Sequence, residues 1–324
     1  MTYRHIHIIE ENIQYNLIIV CFLYINRSDN SRQKKNFTIN KYKNKEYSVF
    51  CSIGSRRKYL YDMVLCYNIY KRRRLFMIGK KIIWFDKINS TNRYIKNYHK
   101  NLESGTIIAA KHQTAGYGRL QRYWEDSANN NLTFSLLLKL PLSERISLLT
   151  QVTAASVYKT LKELNIDVSI KWPNDIIVDN KKICGILLET ILEKKSVSVT
   201  IGIGLNVNAL HFTKELSNKA TSMALETGSK YILEDILDLL IENLNIYIKD
   251  YLEGKDDFLK ICRKNSYLIG KNVYLNKNDI NSVLFKDIDN LGRLVVLDNN
   301  KEEKYTGSEV SLKNIYGNKE KNYG

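Results

Sequence analysis

Apolar positions change their spacing near residue 82, and that change divides the chain. Ile82 to Phe85 is an apolar run of strand length, and Asn89-Ser90-Thr91-Asn92 then supplies side-chain oxygens to cap a helix through Tyr94, Ile95 and Tyr98. Strand-like runs follow at Thr106 to Lys111 and through Leu132, Phe134, Leu136, Leu138 and Leu140, where every second residue is apolar. Leu148, Val152, Ala155, Tyr158 and Leu161 recur at the spacing of a helix face, as do Leu233, Leu237, Leu240, Leu244 and Tyr247. Between these helices lie runs at Val168 to Trp172, Asp175 to Val178, Ile183 to Leu188 and Val197 to Val207. After the second helix, short runs at Asn272 to Asn276, Val283 to Ile288, Arg293 to Leu297 and Glu309 to Leu312 are separated by Asn, Asp and Gly turns. The pattern predicts an α+β chain: a mixed β-sheet with helices, rich in hairpins in its middle, followed by a small C-terminal β-barrel. No internal repeat of useful period is present.

Residues 1 to about 78 show neither period. An apolar stretch from Leu17 to Ile25 is far shorter than the roughly 20 residues that span a bilayer, though it suits the apolar part of a signal peptide. The Lys, Arg, Ser and Asn-rich run after it ends in Lys71-Arg72-Arg73-Arg74. This segment reads as a targeting leader or a disordered extension, with Met77 as an alternative internal start.

Charge alters the picture only through its location. The formal net charge is +16, which by itself suggests a nucleic-acid binder. Residues 1–80 hold 16 Lys and Arg against 5 Asp and Glu, so most of the excess belongs to the extension and only +5 to the rest. The five cysteines are scattered without CxxC spacing, which argues against a disulfide framework or a zinc site.

Three segments carry candidate chemistry. Lys111 to Trp124 places Gly116 and Gly118 on a loop between strands together with Arg119 and Arg122; backbone N–H groups and guanidinium forks of this kind grip phosphate or carboxylate, although alone the segment also reads as a hairpin loop with solvated arginines. Lys171-Trp172-Pro173-Asn174-Asp175 uses one of only two prolines and one of three tryptophans, and leads into Asn180-Lys181-Lys182 and Gly185 to Glu189. Ile201 to Asn208 puts Gly202 and Gly204 at the end of an apolar strand, where a ligand can lie against backbone while Asn206 and Asn208 offer amides.

Their order is more specific than any one of them. Ser90-Thr91-Asn92, Gln113-Thr-Ala-Gly116, Gly118-Arg119, Arg122-x-Trp124, Lys171 to Asp175, Lys182-x-x-Gly185, Gly202-x-Gly204-x-Asn206-Val-Asn208 and Ala220-Thr-Ser-Met223 together resemble the biotin protein ligase family over about residues 82 to 313. Within that resemblance Gly307 to Leu312 looks like the last strand of the family's small barrel. The family loop usually reads Gly-Arg-Gly-Arg-x-Gly-Arg-x-Trp, so Tyr117 and Gln121 depart from it. Gln121 in place of glycine is expected to make the loop less flexible.

The resemblance implies a core like that of class II aminoacyl-tRNA synthetases, of biotin/lipoate ligase type. Its domains would be a basic leader or extension at 1–78, a catalytic domain at 79–265, a small barrel at 266–315 and a tail at 316–324. It further implies ATP and Mg²⁺ as cofactors, biotin as substrate, biotinyl-5'-AMP as intermediate, and transfer to a lysine of a biotin carboxyl carrier domain, as in acetyl-CoA carboxylase. Lys182 and Arg119 would be catalytic. Biotin would meet Ser90, Thr91, Asn92, Gln113, Gly116, Tyr117, Gly118, Arg119, Trp124, Lys182, Gly185 and Gly204. ATP would meet Arg119, Arg122, Trp124, Lys171, Asn174, Asp175, Lys182 and Asn206, with Asp175 also toward the metal.

Two rivals come from other readings. A lipoate–protein ligase also makes an acyl-adenylate, but its usual Arg-Arg-x-Ser-Gly-Gly-Gly loop is missing. A nucleic-acid binder draws only on charge that lies mostly in the extension, which lacks a recognisable helix-turn-helix, so no DNA binding is expected. A homodimer fits the reading, no stable membrane span is expected, and the compartment is either a plastid-type organelle reached through the leader or the cytoplasm.

Overall fold

A computed structural model describes residues 78–126, 129–276, 281–310 and 312. All but Ile78 of the expected 1–78 extension, and the 316–324 tail, lie outside them. The first strand, β1 (Ile82–Phe85), runs parallel to β2 (Ile107–Ala110) across the helix α1 (Thr91–Tyr98). Ser90 caps α1, its hydroxyl accepting from the Arg93 N–H. A mixed seven-stranded sheet then forms in the order β1-β2-β3-β7-β6-β5-β4, with β3 (Asn131–Pro141), β4 (Ser169–Lys171), β5 (Asp175–Val178), β6 (Lys181–Leu192) and β7 (Ser196–Asn206). Every pairing except β1 with β2 is antiparallel.

One face of the sheet is covered by α2 (Leu149–Glu163), which packs beside α4 (Leu233–Leu252). Phe134, Leu136, Leu138, Val199, Ile201 and Ile203 are buried in this core with Val152, Leu237, Leu240 and Leu244. The short helix α3 (Met223–Thr227) follows the motif Ala220 to Met223. Helix α5 (Asp257–Lys264), which the pattern of apolar positions leaves unmarked, buries Phe258, Leu259 and Cys262. Cys184 and Cys262 are buried free thiols.

Strands β8 (Asn272–Val273), β9 (Val283–Ile288), β10 (Leu294–Asp298) and β11 (Lys301–Tyr305) form a separate four-stranded antiparallel sheet. It is not isolated from the larger one: Phe285 meets Trp172 edge to face at 6.2 Å, and the Trp172 indole N–H donates to the Gly292 carbonyl at 3.0 Å. The expected last strand at Glu309 to Leu312 is corrected here. The fourth strand is β11, whose charged residues hide it from an apolar pattern, while 306–309 form a turn and Val310 is buried without ladder pairing. Among the described residues no helix is long and apolar enough to cross a membrane.

Candidate active site

Against one face of β6 and β7 lies a cavity of about 310 Å³. Its floor is backbone. Gly185 and Gly204 face each other across the two strands, and a Cβ on Gly204 would come within 2.5 Å of the Trp124 ring. A Cβ on Gly185 would meet Lys182 at 2.8 Å and Trp124 at 2.9 Å. The indole therefore lies directly on the glycine floor, and its N–H is buried with no acceptor among the described residues. Such a donor costs about 1–3 kcal/mol, which makes this spot receptive to a ligand oxygen.

At one end the cavity is built from neutral polar groups. The Thr91 N–H and hydroxyl both donate to Gln113 Oε1, at 2.8 and 3.2 Å, and Ser135 Oγ lies 2.7 Å from the Thr91 hydroxyl. Asn92 rests on Gly202, where a Cβ would meet its Oδ1 at 2.3 Å. Gln113 is itself held from behind: its N–H donates to Asp126, whose carboxylate also faces His112 at 3.3 Å. Burial pushes the Asp126 carboxyl above its usual range, with the Gln113 N–H and His112 opposing the shift.

The other end is cationic. Lys182 sits beside a bulge between β5 and β6, and its backbone is clamped on the far side, N–H to the Lys219 carbonyl at 2.8 Å and carbonyl to the Thr221 N–H at 3.0 Å. That clamp is the work of the Ala220 motif. Lys182 Nζ reaches Asp175 at 2.7 Å and lies 5.4 Å from the centre of the Trp124 ring. Lys171 is buried at 5% exposure, and burial pushes its ammonium down to about 8, with Asp175 opposing and Lys182 reinforcing the shift. Arg119 donates to Asn174 at 3.4 Å and to the carbonyls of Val310, at 3.2 Å, and Gly307. Burial lowers its pKa, which still leaves a guanidinium charged at any ordinary pH.

The loop between the two ends closes on itself through Gly118 N–H to Arg122 O at 2.8 Å and Trp124 N–H to Gly116 O at 3.0 Å. Its tip holds Leu120 and Gln121 in the left-handed region, both at φ 55°. Gln121 thus occupies a conformation that glycine adopts freely and that costs other residues roughly 1 kcal/mol or more.

All the residues expected to bind biotin or ATP line this cavity except Gly116, which packs behind Gln113 and Trp124. Asn206 lines it too, although its amide N–H already serves the Thr221 carbonyl at 2.9 Å. Asn208 does not; its amide exchanges two hydrogen bonds with the Tyr231 backbone, at 2.8 and 2.9 Å. Residues that the motifs left without a role are Ser135, Asp126, the carbonyls of Gly307 and Val310, and Glu189. Glu189 alone left a signal, as an acid ending the apolar run Gly185 to Leu188.

Comparison with known proteins bears on this geometry. Residues 84–206 match the biotin/lipoate A/B protein ligase family and residues 268–313 match the biotin protein ligase C terminal domain. A bifunctional ligase/repressor, BirA, of Bacillus subtilis (strain 168) is 30% identical over 246 residues, 73% of this chain and 75% of that protein. The chain belongs to the biotin protein ligase family. Another ligase relative, biotin–protein ligase 1, chloroplastic, of Arabidopsis thaliana, is 30% identical over 157 residues, 46% of this chain and 42% of that one. The biotin protein ligase of Aquifex aeolicus, solved in complex with biotin and ATP, superposes with a TM-score of 0.64 at 28% identity, covering 72% of this ligase and 99% of that chain.

The glycine floor yields a prediction that is independent of catalysis. Gly204→Ala should unseat Trp124, because the ring has no flexible end that could yield 0.5 Å or more, whereas the buried apolar face of β7 is untouched. Trp124 emission, taken as the difference from a Trp124→Phe version, should shift to the red, and an unchanged spectrum would refute this seating.

Proposed function

We propose that this cavity is where the chain, as a biotin protein ligase, converts biotin and ATP to biotinyl-5'-AMP and pyrophosphate, and from which the biotinyl group passes to a lysine of a biotin carboxyl carrier domain. The observation that carries the assignment of roles is the position of Lys182, which belongs to the cationic end and lies against the glycine floor beside Trp124. A carboxylate resists attack by an amine because it has no usable leaving group. Adenylation provides one: a biotin carboxylate oxygen bonds to the α-phosphorus of ATP, and the bond from that phosphorus to pyrophosphate breaks. Two anions must meet, so cations fixed beforehand at the meeting point lower the barrier without reorganisation.

On this reading Ser90, Thr91 and Gln113 bond the ureido ring, Trp124 packs over it, and Lys182 bridges the carboxylate and the α-phosphate. Arg119, Arg122 and Lys171 take the phosphates, while Asn174 and Asn206 stand toward the nucleotide. The lining carboxylate Asp175 fits a Mg²⁺ ion brought in by ATP, since such an ion keeps most of its ligands as phosphate and water and needs only one or two carboxylates. Asp175 would hold it, and the ion would neutralise phosphate charge. In the second step the acceptor amine attacks the adenylate carbonyl and AMP leaves, with the Gly116 to Trp124 loop excluding water. The solved relative from Aquifex aeolicus, which holds biotin and ATP, supports these two molecules as the ligands. Catalysis is assigned to 79–265 and a supporting role to 266–315, whose Gly307 and Val310 carbonyls contact Arg119.

Lys182→Ala should lower biotin-dependent pyrophosphate release by about 10²-fold or more while the thermal midpoint holds, because the side chain supplies charge and little packing. Release within threefold of the parent enzyme would remove Lys182 from the centre. Lys171 predicts a pH effect. Its ammonium is charged below about pH 8 and neutral above it, so the KM for ATP should rise as pH passes 8. Lys171→Arg keeps its charge through that range and should flatten the rise; an identical rise in this variant would assign the effect elsewhere.

Residues 1–78 are assigned as an import leader for a plastid-type organelle. Their basic, acid-poor composition after an apolar stretch supports this, and one similar ligase is named chloroplastic. Residues 1–80 fused to a fluorescent protein should give a cleaved product confined to that organelle, and diffuse, uncleaved fluorescence would reject the assignment.

A further inference from the structure

We propose that Tyr117 is a positioning residue: through Glu189 it latches the ligand loop to the biotin end of the cavity and so sets how long the activated intermediate stays bound. The retention half of this inference rests on the adenylate chemistry proposed above; the latch itself rests on geometry. The Tyr117 hydroxyl donates to Glu189 Oε2 at 2.8 Å, spanning from the loop to β6. Asn92 Nδ2 donates to the same oxygen at 2.9 Å, and Lys96 Nζ donates to the other at 2.8 Å. One carboxylate thus ties the loop, the sheet and α1 together. Burial acts to raise the Glu189 pKa, but the bonds from Lys96, Asn92 and Tyr117 outweigh it and hold the group below its usual range, ionised and strongly accepting.

Two residues further on, Arg119 is anchored at the opposite end, to Asn174 and to the Gly307 and Val310 carbonyls. The loop is therefore pinned to both walls, and its tip, with Leu120 at 70% and Tyr123 at 71% exposure, stands outside. Opening the biotin wall requires the Tyr117 bond to break. Tyrosine suits this position for an electrostatic reason. The Arg93 guanidinium lies 5.6 Å from the centre of its ring, and Lys96 already pairs with Glu189, so a third cation at 117 would meet two like charges. A hydroxyl donates to Glu189 without adding charge.

Tyr117→Phe tests this, since it keeps the ring and its contact with Arg93 and deletes only the donor. Acrylamide quenching of Trp124, again as the difference from Trp124→Phe, should rise at least about twofold in the protein without substrates, reporting a loop that opens more often. With biotin, ATP and a carrier domain, the ratio of pyrophosphate released to carrier lysine biotinylated should rise about tenfold, the effect of losing roughly 1.4 kcal/mol of charge-assisted hydrogen bond. Glu189→Gln should shift both readings in the same direction, and the double variant should go no further than the larger single effect. Unchanged quenching and an unchanged ratio in Tyr117→Phe would overturn the latch, as would effects of the two substitutions that multiply. A parent enzyme that formed no adenylate would defeat the proposed function, while the quenching measurement would still decide whether the latch exists.

Discussion

The site exists because three positions in the central hairpin carry no side chain. In a sheet, successive side chains ordinarily fill space on alternate faces. Gly185, Gly202 and Gly204 instead leave their backbone bare, and Trp124, Lys182 and Asn92 occupy the space at distances where a Cβ could not stand. Glycine in a strand costs roughly 0.5–1 kcal/mol in order and packing. The alternate residues of β7, Val199, Ile201, Ile203 and Leu205, all face the buried core, so the other side of the same strand offsets that cost. The period of two in a strand thereby allows one element to be both the fold's centre and the cavity's floor.

The arrangement of charge follows from this floor. Lys182 has to stand at the edge of the glycine pair, and its side chain alone would not hold it there; the bulge in β5–β6 and the clamp from Lys219 and Thr221 aim its backbone. The neutral end is organised in the same indirect way. Asp126 holds the Gln113 backbone, and Gln113 accepts from Thr91, so a buried carboxylate orders a recognition surface that itself carries no charge. A cyclic urea needs donors and acceptors rather than ions, and a triphosphate needs the reverse, so the neutral and cationic ends suit the proposed placement of the two substrates.

Much of this was legible in sequence, and for identifiable reasons. The strands β3, β5 and β7 and the helices α2 and α4 carry long or clean apolar periods, and Ser90 is a cap whose chemistry is local. The glycine-rich motifs locate the cavity because close backbone approach excludes every other residue. Helix α5 escaped because eight residues with three buried side chains make too short a period, and β11 because an exposed edge strand is charged on purpose. The expected strand at Glu309 to Leu312 contains the right apolar alternation, but Glu309 falls in a turn and the Val310 carbonyl accepts from Arg119. Glu189 and Asp126 act through partners 72 and 13 residues away, which no local pattern encodes.

The ligand loop shows how such a site can be ordered before its ligands arrive. Leu120 and Gln121 sit in left-handed conformations that a flexible loop would abandon, so the surroundings must over-determine them. They do so by fixing Tyr117 on one wall and Arg119 on the other. The two anchors differ in kind. Glu189 is already an anion shared among three donors, so an incoming anion offers the Tyr117 hydroxyl no gain in charge. The carbonyls holding Arg119 are neutral, and a phosphate oxygen is a stronger acceptor for the same guanidinium. On the proposed roles, nucleotide takes over the Arg119 anchor by exchanging neutral for charged hydrogen bonds, while the proposed Tyr117 latch stays closed over the other half of the cavity. On that proposal the loop need not open as a whole for ATP to enter.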